Sequence, residues 1–252
     1  PRVKPWVLDW GGRVPQGYEG LSMDLRVGEG FLPYDYGIFS FILDKKGAAA
    51  RGLGELSGTI PLRALLEPRF RRGLLLQDPR TSTPGLAFLL MTQEVLGEKA
   101  WEYWKALRPQ WLTLAPGWSA AYGAFLNEEA PLVWSYTTSQ AYHERQGDPE
   151  GRFRAVLFEE GNPLQIEGAA LVKGAFKNER DLKLARDFLD FLLSAQTQQL
   201  IPEKNWMFPV VAGTALPPEF KKIPRPRKLI RVGNRGLTGD PLKAWELAIR
   251  GN

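Results

Sequence analysis

The chain has 252 residues, a formal net charge of +5 and no cysteine, which excludes disulfides, thiol catalysis and thiolate metal sites. Its length suggests one large domain or two lobes, and 44% apolar and 24% charged residues are ordinary for a globular protein. No apolar run approaches the roughly 20 residues that a membrane-spanning helix needs. His143 is the single histidine, so a zinc site is not expected either.

Strands and helices alternate along most of the chain. Residues 1–31 are rich in Gly and Pro and predict loops, whereas a continuous apolar run at 38–43 predicts a buried strand. Further strands are predicted at 73–76, 112–114, 132–136, 155–158 and 166–172. Helices are predicted at 61–66, from Pro84 onward, and at 101–107, 119–126, 178–193 and 241–249. This alternation predicts an α/β fold with a mainly parallel sheet.

Polar caps mark the starts of two of these helices. Ser82 or Thr83 can cap the helix that begins near Pro84, because proline suits the first helical turn. Asn178 caps the helix at 178–193. The core face of that helix should consist of Leu182, Ala185, Phe188, Leu189 and Leu192.

Segment 77–85 has the features of a loop that binds an anion. Its three hydroxyls at 81–83 precede a helix start, where free N–H groups and the helix dipole favour an oxygen-bearing ligand. Simple capping needs only one hydroxyl, so both explanations remain open. The segment is not a P-loop, because the Gly-Lys-Ser/Thr ending is absent. If Ser82 binds a ligand, its hydroxyl should be open to solvent.

Aromatic residues are unusually frequent, with nine tryptophans and seven tyrosines. Most should serve the core, but several stand beside glycine or hydroxyl residues just after predicted strands, where open α/β sheets bind ligands. Each of these alone is more typical of packing. Together they can surround a flat, cationic ligand through stacking and cation–π attraction. They are Trp118, Tyr122, Tyr136, Tyr142 and Trp206.

Two other classes of function have weaker support. A hydrolase could use Ser82 and His143, but no Gly-x-Ser-x-Gly elbow is present. A nucleic-acid binder could use the basic cluster near the C-terminus, but Pro224 and Pro226 interrupt any helix that would present it. We therefore expect a solvated surface and no nucleic-acid partner. The cluster consists of Lys221, Lys222, Arg225, Arg227, Lys228 and Arg231.

Six segments form a specific set by their order and spacing. They are Pro33-Tyr34-Asp35-Tyr36-Gly37, the loop 77–86, Gly117-Trp118-Ser119, Ala121-Tyr122-Gly123, Ser135-Tyr136-Thr137-Thr138-Ser139 with Ala141-Tyr142-His143, and Asn205-Trp206-Met207. This set resembles the periplasmic thiamine-binding proteins of ABC transporters over about residues 31 to 218. The Thr-Ser-Thr-Pro-Gly loop alone also fits the wider class that binds iron and oxyanions.

The resemblance implies a type II periplasmic binding fold. Such proteins have two α/β lobes joined by crossing strands, with the ligand held between the lobes. The first crossing would be 34–43 and the return 164–172. The first lobe would comprise 1–36 plus 170–252, and the second lobe 37–169.

The resemblance also implies a function and a site. The chain would bind thiamine or a thiamine phosphate outside the cytoplasm and deliver it to an ABC permease in the membrane, with no catalytic residue, metal or cofactor. The same fold leaves ferric ion or a polyamine as alternatives, although the tryptophans do not suit iron, which prefers tyrosine or carboxylate oxygens. The aromatic contacts would be Trp118, Tyr136, Tyr142 and Trp206. The ligand's oxygen end would meet Ser82, Gly117, Trp118 and Ser119.

The first lobe is expected to be incomplete. Members of the family begin with a further βαβ stretch, which residues 1–30 are not expected to replace, and no signal peptide is expected in these residues. The strands after Ile166 and the helix at 178–193 should therefore expose a sheet edge and apolar side chains. This lobe should be less ordered than the other or covered by another chain, so self-association is the expected consequence.

Overall fold

The computed structural model describes residues 4–54, 56, 58–148, 151–233 and 240–250. The strands are β1 (Phe31–Asp44), β2 (Thr59–Ile60), β3 (Leu74–Gln77), β4 (Trp111–Ala115), β5 (Leu132–Tyr136), β6 (Phe153–Phe158), β7 (Asn162–Ala170), β8 (Phe208–Pro209) and β9 (Leu229–Ile230). The helices are α1 (Lys45–Ala50), α2 (Thr83–Leu96), α3 (Ala100–Leu107), α4 (Trp118–Leu126), α5 (Thr138–Arg145), α6 (Glu179–Leu192), α7 (Ala195–Lys204) and α8 (Pro241–Arg250). None of the helices in these ranges is long and apolar enough to cross a membrane.

The chain divides into two compact units. The larger unit comprises 38–164 and 222–252, and the smaller unit comprises 1–37 and 165–221. The chain passes from one to the other within β1, within β7 and after Lys221. We expected the last thirty or so residues in the first lobe, but they belong to the larger unit. The reason is that Trp245 of α8 is fully buried there, with its ring 5.8 Å from that of Trp104.

The larger unit is built on a mixed sheet. Its strand order is β2-β6-β1-β5-β3-β4. The second half of β1 runs antiparallel to β5 and β6, whereas β3 lies parallel to β4 and β5. The expected α/β class is therefore confirmed. Three of the five neighbouring strand pairs are parallel, as expected for most of the sheet, and the two antiparallel pairs both involve β1. Strand direction follows the path of the whole chain, which local apolar patterns do not encode.

Two apolar layers cover this sheet. Successive side chains of a strand point to opposite faces, so Phe41 lies in one cluster and Ile42 in the other. On the first face, Phe88 of α2 packs edge-on against Phe41 with ring centroids 5.9 Å apart. On the second face, α4 contributes Tyr122 and Phe125. The sheet of the larger unit is therefore packed against apolar side chains on both of its faces.

Gly85 lets α2 begin directly against the end of β3. A Cβ atom at this position would fall against the backbone of Gln77 and Asp78, closer than real Cβ atoms come to any heavy atom. We therefore expect Gly85→Ala to destabilise the protein by about 1–3 kcal/mol through overpacking. Thermal unfolding followed by circular dichroism should show a melting temperature lower by roughly 2–4 °C per kcal/mol.

The matched control for this prediction is Gly123→Ala. Gly123 also lies inside a helix, but nothing stands within 4 Å of its Cβ position. Alanine is the better helix former, so this variant should be neutral or slightly stabilised. Equal melting temperatures for both variants would contradict the close approach at Gly85.

The smaller unit joins segments that are distant in sequence. The first half of β1 pairs antiparallel with β8, with Asp35 opposite Pro209 and Tyr36 opposite Phe208. Near the start of the chain, the Leu8 N–H donates to the Leu171 carbonyl oxygen at 2.7 Å. These pairings connect the N-terminal residues to the segments that carry α6 and α7.

Helix α6 leaves much of its apolar surface uncovered. Its start is as predicted, because the Asn178 side chain accepts a hydrogen bond from the Asp181 N–H. Of the predicted core positions, Leu189 is buried but Phe188 is 55% exposed, so the predicted core face is wrong at Phe188. Leu184 and Phe191 are also exposed. The expected exposure of apolar side chains in this part of the chain is confirmed.

Candidate ligand-binding site

Three of the predicted ligand contacts lie at one edge of the sheet in the larger unit. Strands β5, β3 and β4 are parallel neighbours, so their carboxyl ends meet at the same edge. Ser82 follows β3, Trp118 follows β4, and Tyr136 is the last residue of β5. Open α/β sheets bind ligands at such an edge. Sequence spacing alone does not bring these residues together, whereas the parallel pairing does.

Trp118 has a fixed orientation at the start of α4. Its indole Nε1–H donates to Ser135 Oγ at 2.8 Å, and that hydroxyl lies 2.9 Å from Ser139 Oγ. Its ring stacks on Tyr122 with centroids 4.6 Å apart and an interplanar angle of 23°. The side chain nevertheless remains 37% exposed. Trp118 is therefore a flat, partly open surface that is already held in place.

His143 packs against this aromatic group. Its Nε2 shares a hydrogen bond of 2.9 Å with the Tyr122 hydroxyl, and its ring stacks on Phe153 at 3.8 Å. Burial lowers the pKa of His143 to about 4, so the ring is neutral at physiological pH. Burial also raises the pKa of Tyr122. The alternative of a hydrolase using Ser82 and His143 is not favoured, because His143 Nε2 is paired with the Tyr122 hydroxyl.

Ser82 stands at the start of α2 but does not cap it with its side chain. It is the N-cap residue, yet its hydroxyl makes no cap hydrogen bond. The Oγ atom is buried and has no hydrogen-bond partner among the described residues. Our expectation of a hydroxyl open to solvent is therefore wrong.

The arginine within this loop, Arg80, is paired with two carboxylates. Arg80 is bonded to Asp78 Oδ2 at 2.6 Å and to Glu246 Oε1 at 2.8 Å. The guanidinium lowers the pKa of Asp78 through these hydrogen bonds. Thr81 donates its hydroxyl to the Pro116 carbonyl oxygen at 2.8 Å. The loop 77–85 is thus held mainly by its own contacts.

The two predicted tyrosine contacts are both half-buried. The Tyr136 ring stacks on Phe39 with centroids 4.6 Å apart. The Tyr142 ring meets His143 edge-on at 5.4 Å. Each tyrosine therefore has a fixed ring with part of its surface accessible. Gly117 and Ser119 stand beside Trp118 at the start of α4, and Ser119 is exposed.

Trp206 belongs to the smaller unit and has an unusual backbone. Its φ angle of +55° is in the left-handed region, which a bulky residue rarely adopts. The ring is half-buried and faces Phe220 with an interplanar angle of 14° and centroids 6.4 Å apart. The preceding residue, Asn205, donates its side-chain amide to Asp35 Oδ2 at 2.6 Å.

Asp35 is a buried acid in the motif Pro33-Tyr34-Asp35-Tyr36-Gly37, and no role was predicted for it. It is completely inaccessible, and its Oδ1 atom has no hydrogen-bond partner among the described residues. Burial, and then the charge of Glu167, raise the pKa of Asp35 to about 7. Burial and the same glutamate raise the pKa of Tyr34 to about 12. The sequence did contain a signal for this site, because Asp35 is an acidic residue inside a largely apolar strand.

The described residues offer no ready-made metal centre. Across them, no group of three or more His, Cys, Asp or Glu side chains is placed to hold a metal ion. The Tyr34 hydroxyl donates to Glu167 Oε2 at 3.3 Å, and Gln165 donates to Glu167 Oε1 at 2.7 Å. The glutamate is thus engaged by neutral hydrogen-bond donors. The residues described above offer aromatic faces, hydroxyls and helix starts.

These features match one family of proteins. The chain belongs to the bacterial extracellular solute-binding proteins, whose family model matches residues 19–238. That family binds solutes outside the cytoplasm and is not a family of enzymes.

Curated relatives extend the likeness that the sequence motifs indicated. A thiamine-binding periplasmic protein of Brucella abortus is 41% identical over 203 residues, which are 80% of this chain and 57% of the relative. The protein of that name in Escherichia coli is 41% identical over 196 residues, or 78% of this chain and 56% of the relative. The chain thus spans a little over half the length of these relatives. The resemblance to this group is confirmed.

Solved structures confirm the predicted fold. A periplasmic thiamin binding protein aligns with 97% of this chain and 73% of its own, at a TM-score of 0.78 and 33% identity. The periplasmic binding protein AfuA of Actinobacillus pleuropneumoniae, with fructose-6-phosphate bound, aligns with 85% of this chain and 66% of its own, at 0.72 and 18% identity. The second likeness concerns the fold alone. The α/β type II periplasmic binding fold is therefore the correct class.

Proposed function

We propose that the protein binds thiamine outside the cytoplasm and delivers it to an ABC permease in the membrane. The single observation that carries this proposal is Trp118, a partly exposed indole that is already fixed by Ser135 and Tyr122. Relatives named as thiamine-binding proteins at 41% identity support the same ligand.

The chemistry of thiamine suits these side chains. Thiamine has two flat rings, one of which carries a permanent positive charge, and its hydroxyethyl arm ends in an oxygen. Aromatic faces attract a cation and stack on flat rings. We assign this role to Trp118, Tyr136, Tyr142 and Trp206. Rings that are held before binding lose little side-chain entropy when the ligand arrives.

The oxygen end of the ligand requires donors. The first N–H groups of a helix have no partner within the helix and lie at the positive end of its dipole. We assign the hydroxyethyl or phosphate oxygens to the starts of α2 and α4, with Ser82, Gly117 and Ser119. Because the Ser82 hydroxyl is buried, the backbone donors carry most of this role. A thiamine phosphate would gain more from them than thiamine.

Binding and release complete the proposed function. Nothing in this assignment breaks a bond in the ligand, and the buried, neutral His143 is held as a packing residue. Thiamine is carried as cargo and not as a cofactor, and the membrane permease would be the protein partner.

Titration with candidate ligands tests this proposal. Isothermal calorimetry and tryptophan fluorescence should show saturable binding of thiamine with quenching, because Trp118 and Trp206 contact the ligand. Thiamine monophosphate, ferric citrate and spermidine should be titrated in parallel. Binding of ferric ion or spermidine without any heat from thiamine would refute the assignment in favour of another solute.

We also propose that the exposed apolar face of α6 promotes self-association. Leu184, Phe188 and Phe191 are 70%, 55% and 49% exposed, and clustered apolar surface of this kind favours contact with another chain. Sedimentation velocity should show concentration-dependent dimers, which Phe188→Ser should weaken. Leu247→Ser is the matched control, because Leu247 is 66% exposed on α8 of the larger unit. A monomer at all concentrations would rule the proposal out.

A further inference from the structure

The segment that carries Trp206 needs an external support. Its φ angle of +55° disfavours a bulky side chain, so the turn persists only if the surroundings hold it. The residue follows α7, whose last turn ends at Lys204. It precedes β8, which starts at Phe208. The residues immediately before and after Trp206 are both connected to strand β1.

The side before Trp206 is tied to strand β1 by one side-chain hydrogen bond. Asn205 Nδ2 donates to Asp35 Oδ2 at 2.6 Å, across 170 residues of sequence. Asn205 is itself exposed, whereas Asp35 is completely buried. The bond therefore anchors a surface turn to a fixed point in the strand.

The side after Trp206 is tied to the same strand by backbone pairing. Asp35 lies opposite Pro209, and Tyr36 lies opposite Phe208. Gln198 reinforces this anchor, since its Nε2 donates to the Tyr34 carbonyl oxygen at 2.8 Å and its Oε1 accepts from the Val210 N–H at 2.9 Å. Asp35 therefore contacts the chain before Trp206 through Asn205 and the chain after Trp206 through its pairing with Pro209.

We propose that Asp35 is a positioning residue for ligand binding, which holds Trp206 in place through its hydrogen bond to Asn205. The inference rests on the proposed role of Trp206 in thiamine binding. Packing alone would be served better by an apolar residue, because a buried acid is costly to desolvate. Asp35 has no Lys or Arg partner among the described residues to offset that cost. The acceptor oxygen that it offers to Asn205 is what an apolar residue would lack.

Three variants separate positioning from packing. Asp35→Asn keeps a side-chain oxygen that can accept from Asn205. Asp35→Leu keeps the number and branching of the side-chain heavy atoms without an acceptor, and Asn205→Ala removes the donor from an exposed position. Thiamine affinity should fall about tenfold in Asp35→Leu and in Asn205→Ala, which is the value of one lost hydrogen bond. Asp35→Asn should stay within about twofold of the parent.

The double variant Asp35→Leu/Asn205→Ala provides the decisive comparison. If the two residues act through one bond, its affinity should equal that of either single variant. Additive losses, or parent-like affinity in Asn205→Ala, would overturn the inference. Unfolding midpoints of all variants identify any loss that comes from instability.

A measurement without ligand distinguishes failure of this inference from failure of the proposed function. The indole N–H resonance of Trp206, assigned with Trp206→Phe, should shift or broaden in Asn205→Ala and remain in place in Asp35→Asn. An unmoved resonance in Asn205→Ala would refute positioning, whatever the protein binds. A moved resonance in a protein that does not bind thiamine would refute only the proposed ligand.

Discussion

Replacing Trp118 by alanine should weaken thiamine binding by at least about 2 kcal/mol, or roughly 30-fold in Kd. The residue combines 37% exposure with a ring fixed by Ser135 on its edge and Tyr122 on its face. The parent therefore offers a stacking surface without a cost for ordering it. Calorimetric titration of parent and variant under one buffer condition measures the difference.

Two companion variants make this prediction specific. Trp6→Ala removes another tryptophan, one that is 67% exposed in the smaller unit, and should leave Kd unchanged. Ser135→Ala keeps the indole but removes the acceptor for its N–H, so affinity should fall by no more than about tenfold. Equal affinities for thiamine in Trp118→Ala and Trp6→Ala would show that Trp118 does not contribute to binding.

Replacing Asp35 by asparagine should flatten the dependence of stability on pH. The pKa of Asp35 is raised from 3.8 to about 7, so the folded protein keeps a proton that the unfolded chain releases at lower pH. Stability is therefore lost as pH rises from about 4 to about 7, and the loss is complete above that range. At about 1.4 kcal/mol per pKa unit, the effect is roughly 4 kcal/mol.

The measurement is urea unfolding at a series of pH values between 4 and 8.5. Asp35→Asn should match the parent near pH 4 and exceed it at pH 8, because asparagine never takes a charge. Asp9→Asn is the matched control, because Asp9 is an aspartate exposed to solvent. The prediction is contradicted if the free energy of unfolding of the parent rises over this pH range and that of Asp35→Asn rises equally. Ionisation of Asp35 would then not destabilise the folded protein.

Local patterns predicted many elements well because they report burial and capping. The apolar run at 132–136 coincides with β5, and the cap at Asn178 is present. The pattern did not reveal α5, because the polar sequence 138–145 has no apolar periodicity and is held by its position after β5. Phe188 was assigned to the core because periodicity indicates an apolar face but not whether anything covers it.

The candidate site was predictable in its residue types and less so in its contacts. Aromatic residues after strands indicated Trp118, and parallel pairing then explains its position beside β5. The pairing of His143 with Tyr122 was not predictable, because a lone histidine shows no partner in the sequence. Asp35 and Asn205 were both visible in motifs, but their contact spans 170 residues.

The separation of 170 residues between Asp35 and Asn205 also affects the order in which the protein can fold. Most of the larger unit comes from the single stretch 38–164, whose synthesis is complete before 165–221 is made. Residues 1–37 are made before their partners in the smaller unit, which include Leu171 and the strand at Phe208–Pro209. Closing so long a loop costs entropy before any contact repays it. Residues 1–37 therefore remain without these partners until 165–221 has been made, and proteolysis of nascent chains should cut them before it cuts the stretch 38–164.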